Sequence, residues 1–261
     1  DITIAADSLT GSPSNLSSPS GQINLASVAS PGEILSPSLQ SGANVTMGTV
    51  RLQEFAMLDV SDALLEGDGH AGTVRIRSGQ LVMDSAIILA DTVSGVSGNN
   101  PGVSIVTQGD VSLTNTSLIL TESFGAGRSG DIEINARNVT VADGSLVQTI
   151  TTDVGQGGNI AVTTTDSVSV VGTDGFGNPS NIQALTFGTE NGGSINIAAS
   201  TLTVSENGFI ETASFGSGNP GNISIQAAND LNVTSGGRIS SDGGGISSGN
   251  ISITADRAFI S

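Results

Sequence analysis

The phrase Gly-Asn-Ile-Ser-Ile begins at Gly221 and returns at Gly249, 28 residues later. Related phrases, a Gly leading into alternating Ile, Val or Leu, begin at Gly21, Gly48, Gly72, Gly102, Gly130, Gly158 and Gly193. The opening Asp1-Ile2-Thr3-Ile4 shares their phase. Successive starts from Gly21 lie 27, 24, 30, 28, 28, 35, 28 and 28 residues apart. A period of this size marks a repeat architecture, in which one supersecondary unit recurs and neighbours bury each other's apolar faces.

Within each unit a second alternating stretch follows, such as Val139-Thr140-Val141 or Leu231-Asn232-Val233. A shorter third beat comes next, such as Phe209-Ile210-Glu211-Thr212, and then a Gly-rich corner. Alternation at period two is the mark of a strand with one buried face. The corners are longer than two-residue hairpin loops, which argues against antiparallel pairing between sequence neighbours. The repeat therefore predicts an all-β fold, a parallel β-helix (solenoid) of about nine coils of 24–35 residues. Each strand would pair with its equivalent in the next coil, giving a rod of ~45 Å at ~4.8 Å per coil.

Stacking of like on like makes specific expectations. Ile132, Ile160, Ile195, Ile223 and Ile251 should form one interior ladder, and Ile134, Val162, Ile197, Ile225 and Ile253 its neighbour. Phe124, Val154, Phe187 and Phe215, just before the Gly-rich corner, should form a third. Asp131, Asn159, Asn222 and Asn250, beside the leading Gly, should satisfy backbone groups at the corner. The glycines there are expected to supply positive φ.

The register is sharp in the second half and loose in the first. Residues 1–71 read as irregular coils with a Pro- and Ser-rich loop near 26–47, and 72–261 as regular coils of one continuous solenoid. An insertion at 172–181 should bulge from one side, and the last residues fall within the second strand of a new coil, so further coils are expected to follow. Residues 52–66 are the one helix candidate, and their spacing suits coil strands better.

Composition narrows the function. The net charge is −17, with seven Arg and no Lys, which speaks against nucleic-acid binding or a basic membrane-binding patch. No apolar run approaches the ~20 residues that a membrane helix needs, so membrane insertion is not expected. Regular Val, Ile and Thr alternation argues against disorder despite 36 Gly. The absence of Cys, with no disulfide framework to place, leans toward an exported chain.

Chemistry-bearing residues are sparse. His70, the one histidine, sits in a Gly-rich corner beside Asp68 and could act as a general acid, but reads better as a solvated loop residue. Asp174 with Asn178, and Asp242, could offer oxygen ligands to calcium, although Asp capping a turn explains them as well. No catalytic residue, other metal site or cofactor site is expected. Without Trp or Tyr there is no obvious sugar-stacking platform, and Phe176, in the insertion, is the one Phe expected to reach a partner.

The phrases Ser27-Val-Ala-Ser-Pro-Gly-Glu33 and Gly172-Thr-Asp-Gly-Phe-Gly-Asn-Pro-Ser180, with units such as 130–149 and 168–197, resemble the repeat region of filamentous haemagglutinin-like two-partner-secretion exoproteins, closest to the cyanobacterial type. The resemblance covers essentially the whole chain. It implies a right-handed parallel β-helix and export through an outer-membrane two-partner-secretion transporter. It further implies an extracellular, secreted or cell-surface location, and a non-enzymatic adhesin shaft without catalytic residues. Such a shaft would meet a surface glycan or cell-surface receptor. Two alternatives stand beside it: a filament subunit self-associating end to end through exposed strand edges, and a polysaccharide-active β-helix enzyme. Three or more carboxylates beside an Arg in a groove would mark the enzyme.

Overall fold

The computed structural model describes residues 1–5, 14–35, 39–41, 45–62, 69–93, 97–244 and 247–261. Short strands wind into a β-solenoid of about 7 turns, with no helix among the described residues. Of the helix candidate 52–66, residues 52–62 contribute the end of strand Thr49–Gln53, a turn and strand Met57–Asp59, and 63–66 lie outside the described residues.

Each coil has three faces. The first stacks 22–26, 73–78, 103–107, 132–136 and 160–164, and then the opening halves of 195–205, 223–233 and 251–260. The second face carries 49–53, 80–84, 111–114, 139–142, 167–171 and the closing halves of the same three long strands. These two faces are continuous because 195–205 and 223–233 run through their shared corner, with a register shift after Ala199 and after Ala227. The third face is an 8-stranded sheet, from 15–17 and 57–59 up through 87–89, 118–123, 146–151, 181–186 and 209–214 to 238–242. All pairings between coils are parallel.

Both isoleucine ladders form as the repeat predicts. Ile132 pairs with Ile160, Ile160 with Ile195, Ile195 with Ile223 and Ile223 with Ile251. Ile134, Val162, Ile197, Ile225 and Ile253 align beside them. All are buried except Ile251 and Ile253, in the last described coil, which are 42% and 41% exposed. The bore is lined by aliphatic side chains along the first two faces, and on the third by aliphatics together with buried hydroxyls such as Thr121, Thr149 and Thr212.

The coil count is smaller than the Gly-led phrases suggest. Thr49–Gln53, the strand after Gly48, pairs with Gln80–Asp84 on the second face, and Ile2–Ile4 lies below it. Neither begins a coil. The turn that starts at Gly21 instead carries an excursion after its first strand, with a small antiparallel hairpin of Ile34–Leu35 against Gln40–Ser41. Alternation alone could not assign these strands to a face, since all three faces alternate.

The corner glycines also differ in their reason. Gly158, Gly193 and Gly221 are not in the positive-φ region. A Cβ on Gly193 would instead fall well inside contact with the carbonyl oxygen of Gly158, and one on Gly221 with that of Gly193. Glycine is needed there so that one coil's backbone can approach the next. Positive φ is concentrated at the corner between second and third faces, at Asn115 and Thr116, Asp143 and Gly144, and Glu206 and Asn207.

The expected polar ladder beside those glycines is present. Oδ1 of Asp131 accepts the N–H of Asn159 at 2.6 Å, Oδ1 of Asn159 that of Ser194 at 2.9 Å, and Oδ1 of Asn222 that of Asn250 at 2.8 Å. Buried hydroxyls close the third face against the same corner: Thr121, Thr149 and Thr212 donate to the carbonyls of Gly130, Gly158 and Gly221.

Candidate functional site

The third face departs most from the sequence-based expectation. Phe124, Phe187 and Phe215 do not line the bore; they are 49%, 48% and 63% exposed. Strand parity decides this. In Leu118–Ser123 the inward residues are Ile119, Thr121 and Ser123, so the next position points outward. Val154, 45% exposed, is not in the column either. Phe124, Phe187 and Phe215 each donate a backbone N–H to the coil below, and the residue making the equivalent bond in the intervening coil is Thr152. The Phe187 and Phe215 rings stack outside the sheet at 5.0 Å between centroids.

The rest of this outer surface sorts by height. In the lower coils its outward positions are Met57, Ile87, Leu89, Leu118, Leu120 and Leu146, all half-buried. Higher up, the Leu89–Leu120 column continues as Gln148, Gln183 and Glu211. These side chains bond to one another: Nε2 of Gln148 donates to Oε1 of Gln183 at 3.0 Å, and Nε2 of Gln183 to Oε2 of Glu211 at 2.6 Å. Arg238 pairs with Glu211 at 3.1 Å and lies over the Phe209 ring.

A carboxylate stair borders the apolar part. Oδ1 of Asp59 accepts the N–H of Ser61, Oγ of Ser61 accepts that of Asp91, and Oδ1 of Asp91 accepts that of Glu122, at 2.9, 2.9 and 3.1 Å. Burial, reinforced by Glu122 and Asp59, pushes the Asp91 carboxyl up to about 7. Burial also raises Glu122. Among the described residues no Arg pairs with Asp91 or Glu122; the arginine ion pairs there involve Asp131, Asp110, Glu211 and Asp230. The acid excess is therefore not uniformly spread along the rod. Sequence reading missed this group because Asp59, Asp91 and Glu122 are 32 and 31 residues apart, off the 28-residue repeat, and only strand pairing brings them onto one face.

The sequence-derived candidates fall elsewhere. Asp174 serves its own loop: Oδ1 accepts the N–H groups of Phe176 and Asn178, and Oδ2 accepts Nδ2 of Asn178, each at 2.8 Å. The Asn178 amide is the main reason that its carboxyl is held below the ordinary range. Phe176, at the tip, is 95% exposed, as expected. The loop overhangs a hollow of about 360 Å³ shared with Asn115, Thr116 and Asp143. Asp242 accepts the N–H of Gly244 and stands apart from Asp174, at the end of the third face. His70 packs near the lower corner, where its carbonyl accepts Oγ of Ser20; Asp68 lies outside the described residues. A second hollow of about 530 Å³ runs along the corner between first and second faces, lined by small neutral residues such as Ala199, Ser200 and Ala227.

Comparison with known protein families, with curated proteins and with solved structures finds no match.

Proposed function

We propose that the chain is a shaft segment of a secreted or surface-displayed exoprotein: a non-enzymatic β-solenoid that holds attachment surfaces at a distance from the cell, in contact with a surface glycan or receptor. The observation that carries this reading is the register itself. From Ile132 to Ile253 each coil repeats its neighbour's pairing, so adding or removing a coil changes the rod's length and leaves its cross-section unchanged. Right-handed winding belongs to the same reading, as the sense that nearly all parallel crossover connections adopt. So does export through an outer-membrane two-partner-secretion transporter, where coils stacking outside the pore would resist sliding back. The likeness of the repeat to filamentous haemagglutinin-like exoproteins supports both. The carboxylate stair of Asp59, Asp91 and Glu122 supplies one half of the mark set for a polysaccharide-active enzyme, while the arginine ion pairs among the described residues lie elsewhere.

The test is removal of one coil, residues 130–157, joining Ser129 to Gly158. Small-angle scattering should show a folded rod shorter by ~4.8 Å, and bacteria displaying the shortened protein should still attach to a surface. Loss of attachment with the fold intact would place function in that coil and overturn the spacer reading.

A further inference from the structure

The outward positions of the three faces differ in kind. At mid-height the first face presents Arg75, Ser104 and Glu133, and the second Val82, Ser112 and Thr140. The third presents Ile87, Leu118 and Leu146 in one column and Leu89 and Leu120 in the next. An outward, half-buried aliphatic sheet face bordered by acids on one side is where a partner could add apolar contact. Its extent is bounded, because the Gln148–Gln183–Glu211 ladder closes it above with side chains that satisfy one another.

Charge selects the occupant. Asp91 and Glu122 stand one coil apart at the edge of the leucines, each destabilised as an anion by burial, with no cation paired to either among the described residues. A second copy of this chain is disfavoured by its net charge of −17, and of its seven Arg, Arg128, Arg137, Arg238 and Arg257 are already in ion pairs, which leaves Arg51, Arg75 and Arg77. Geometry adds a length. The strip from Met57 to Leu146 spans four coils at ~4.8 Å spacing, close to the 5.4 Å pitch of an α-helix. One helical turn can therefore sit on each coil with little slip. We propose that the lower third face docks a cationic amphipathic helix of a partner protein, its apolar stripe on Leu89, Leu118 and Leu120 and a Lys or Arg over Asp91 and Glu122. This goes beyond the shaft reading and does not require it.

The probe is a synthetic amphipathic peptide of about 18 residues (~27 Å as a helix), with leucines on one stripe and lysines flanking it. A twin carries Glu in place of Lys. Fluorescence anisotropy against the intact chain should show binding of the lysine peptide, and none of the glutamate twin. The pair Leu89→Thr with Leu120→Thr should weaken it at least tenfold, and so should Asp91→Asn with Glu122→Gln, with circular dichroism unchanged in both. Undiminished binding by the threonine pair would mean that the peptide reads only net charge, and undiminished binding by the amide pair would remove the ionic element. Dimerisation of the chain in light scattering that competes with the peptide would assign the face to a second copy. Any of these three overturns the proposal, and none bears on the coil-deletion test.

Discussion

Glu122 donates its backbone N–H to Oδ1 of Asp91 at 3.1 Å, so two carboxylates that are 31 residues apart in the chain stand on adjacent coils of one face. That bond favours an ionised Asp91, yet burial and the neighbouring acids outweigh it and push the carboxyl up to about 7.

A stability profile with pH should show it. The folded state keeps a proton on Asp91 between about pH 4, where an unfolded carboxyl ionises, and about pH 7. Stability therefore falls as pH rises through that window and levels off above it. Asp91→Asn keeps an acceptor for Glu122 and removes the titration. The variant should gain over the natural chain at pH 8 by up to about 4 kcal/mol, at ~1.4 kcal/mol per pKa unit, and gain little at pH 4. Parallel urea titrations measure this difference; a gain that does not change with pH would refute the account.

Gly193→Ala should be among the most damaging small substitutions in the molecule, because the added methyl meets the carbonyl of Gly158 in the coil below. A cost of about 3 kcal/mol is expected from such overpacking. Gly175→Ala, where nothing lies within 4 Å, is the control and should be neutral. Equal melting temperatures for the two would show that the coils can separate at the corner.

The ladder should be energetically uneven. Ile195→Ala, in the fully buried interior, should cost about 2–5 kcal/mol. Ile253→Ala, in the same pattern but 41% exposed, should cost much less.

Phe187 and Phe215 should couple. A double-mutant cycle to alanine should give an interaction of about 0.5–1.5 kcal/mol, while Phe176→Ala, in the exposed loop, should leave stability unchanged.

Calcium should not stabilise the insertion. Both Asp174 oxygens already accept hydrogen bonds from within the loop, with which an ion would have to compete. Melting curves in millimolar calcium and in chelator should coincide; an upward shift with calcium that Asp174→Asn abolishes would reverse this conclusion.

The two isoleucine ladders and the Asp131–Asn159 chain of hydrogen bonds were legible in the sequence because a 28-residue period superposes like residues whatever the shape of the loops between them. The third face was not. Placing Phe124 required knowing where its strand begins, since one residue of displacement turns a side chain from bore to solvent. Placing Gly48 required knowing its partner, since strands of every face alternate alike.

Periodicity and alternation by themselves determined that this chain stacks parallel coils around an aliphatic bore, because those properties are local and recur. Which face each irregular strand joins, why the corner glycines are glycine, and that Asp59, Asp91 and Glu122 share an edge beside half-buried, outward-facing leucines were decided only by tertiary pairing. Such pairing depends on contacts between residues far apart in the chain, and loops of unequal length leave no constant spacing from which to read them.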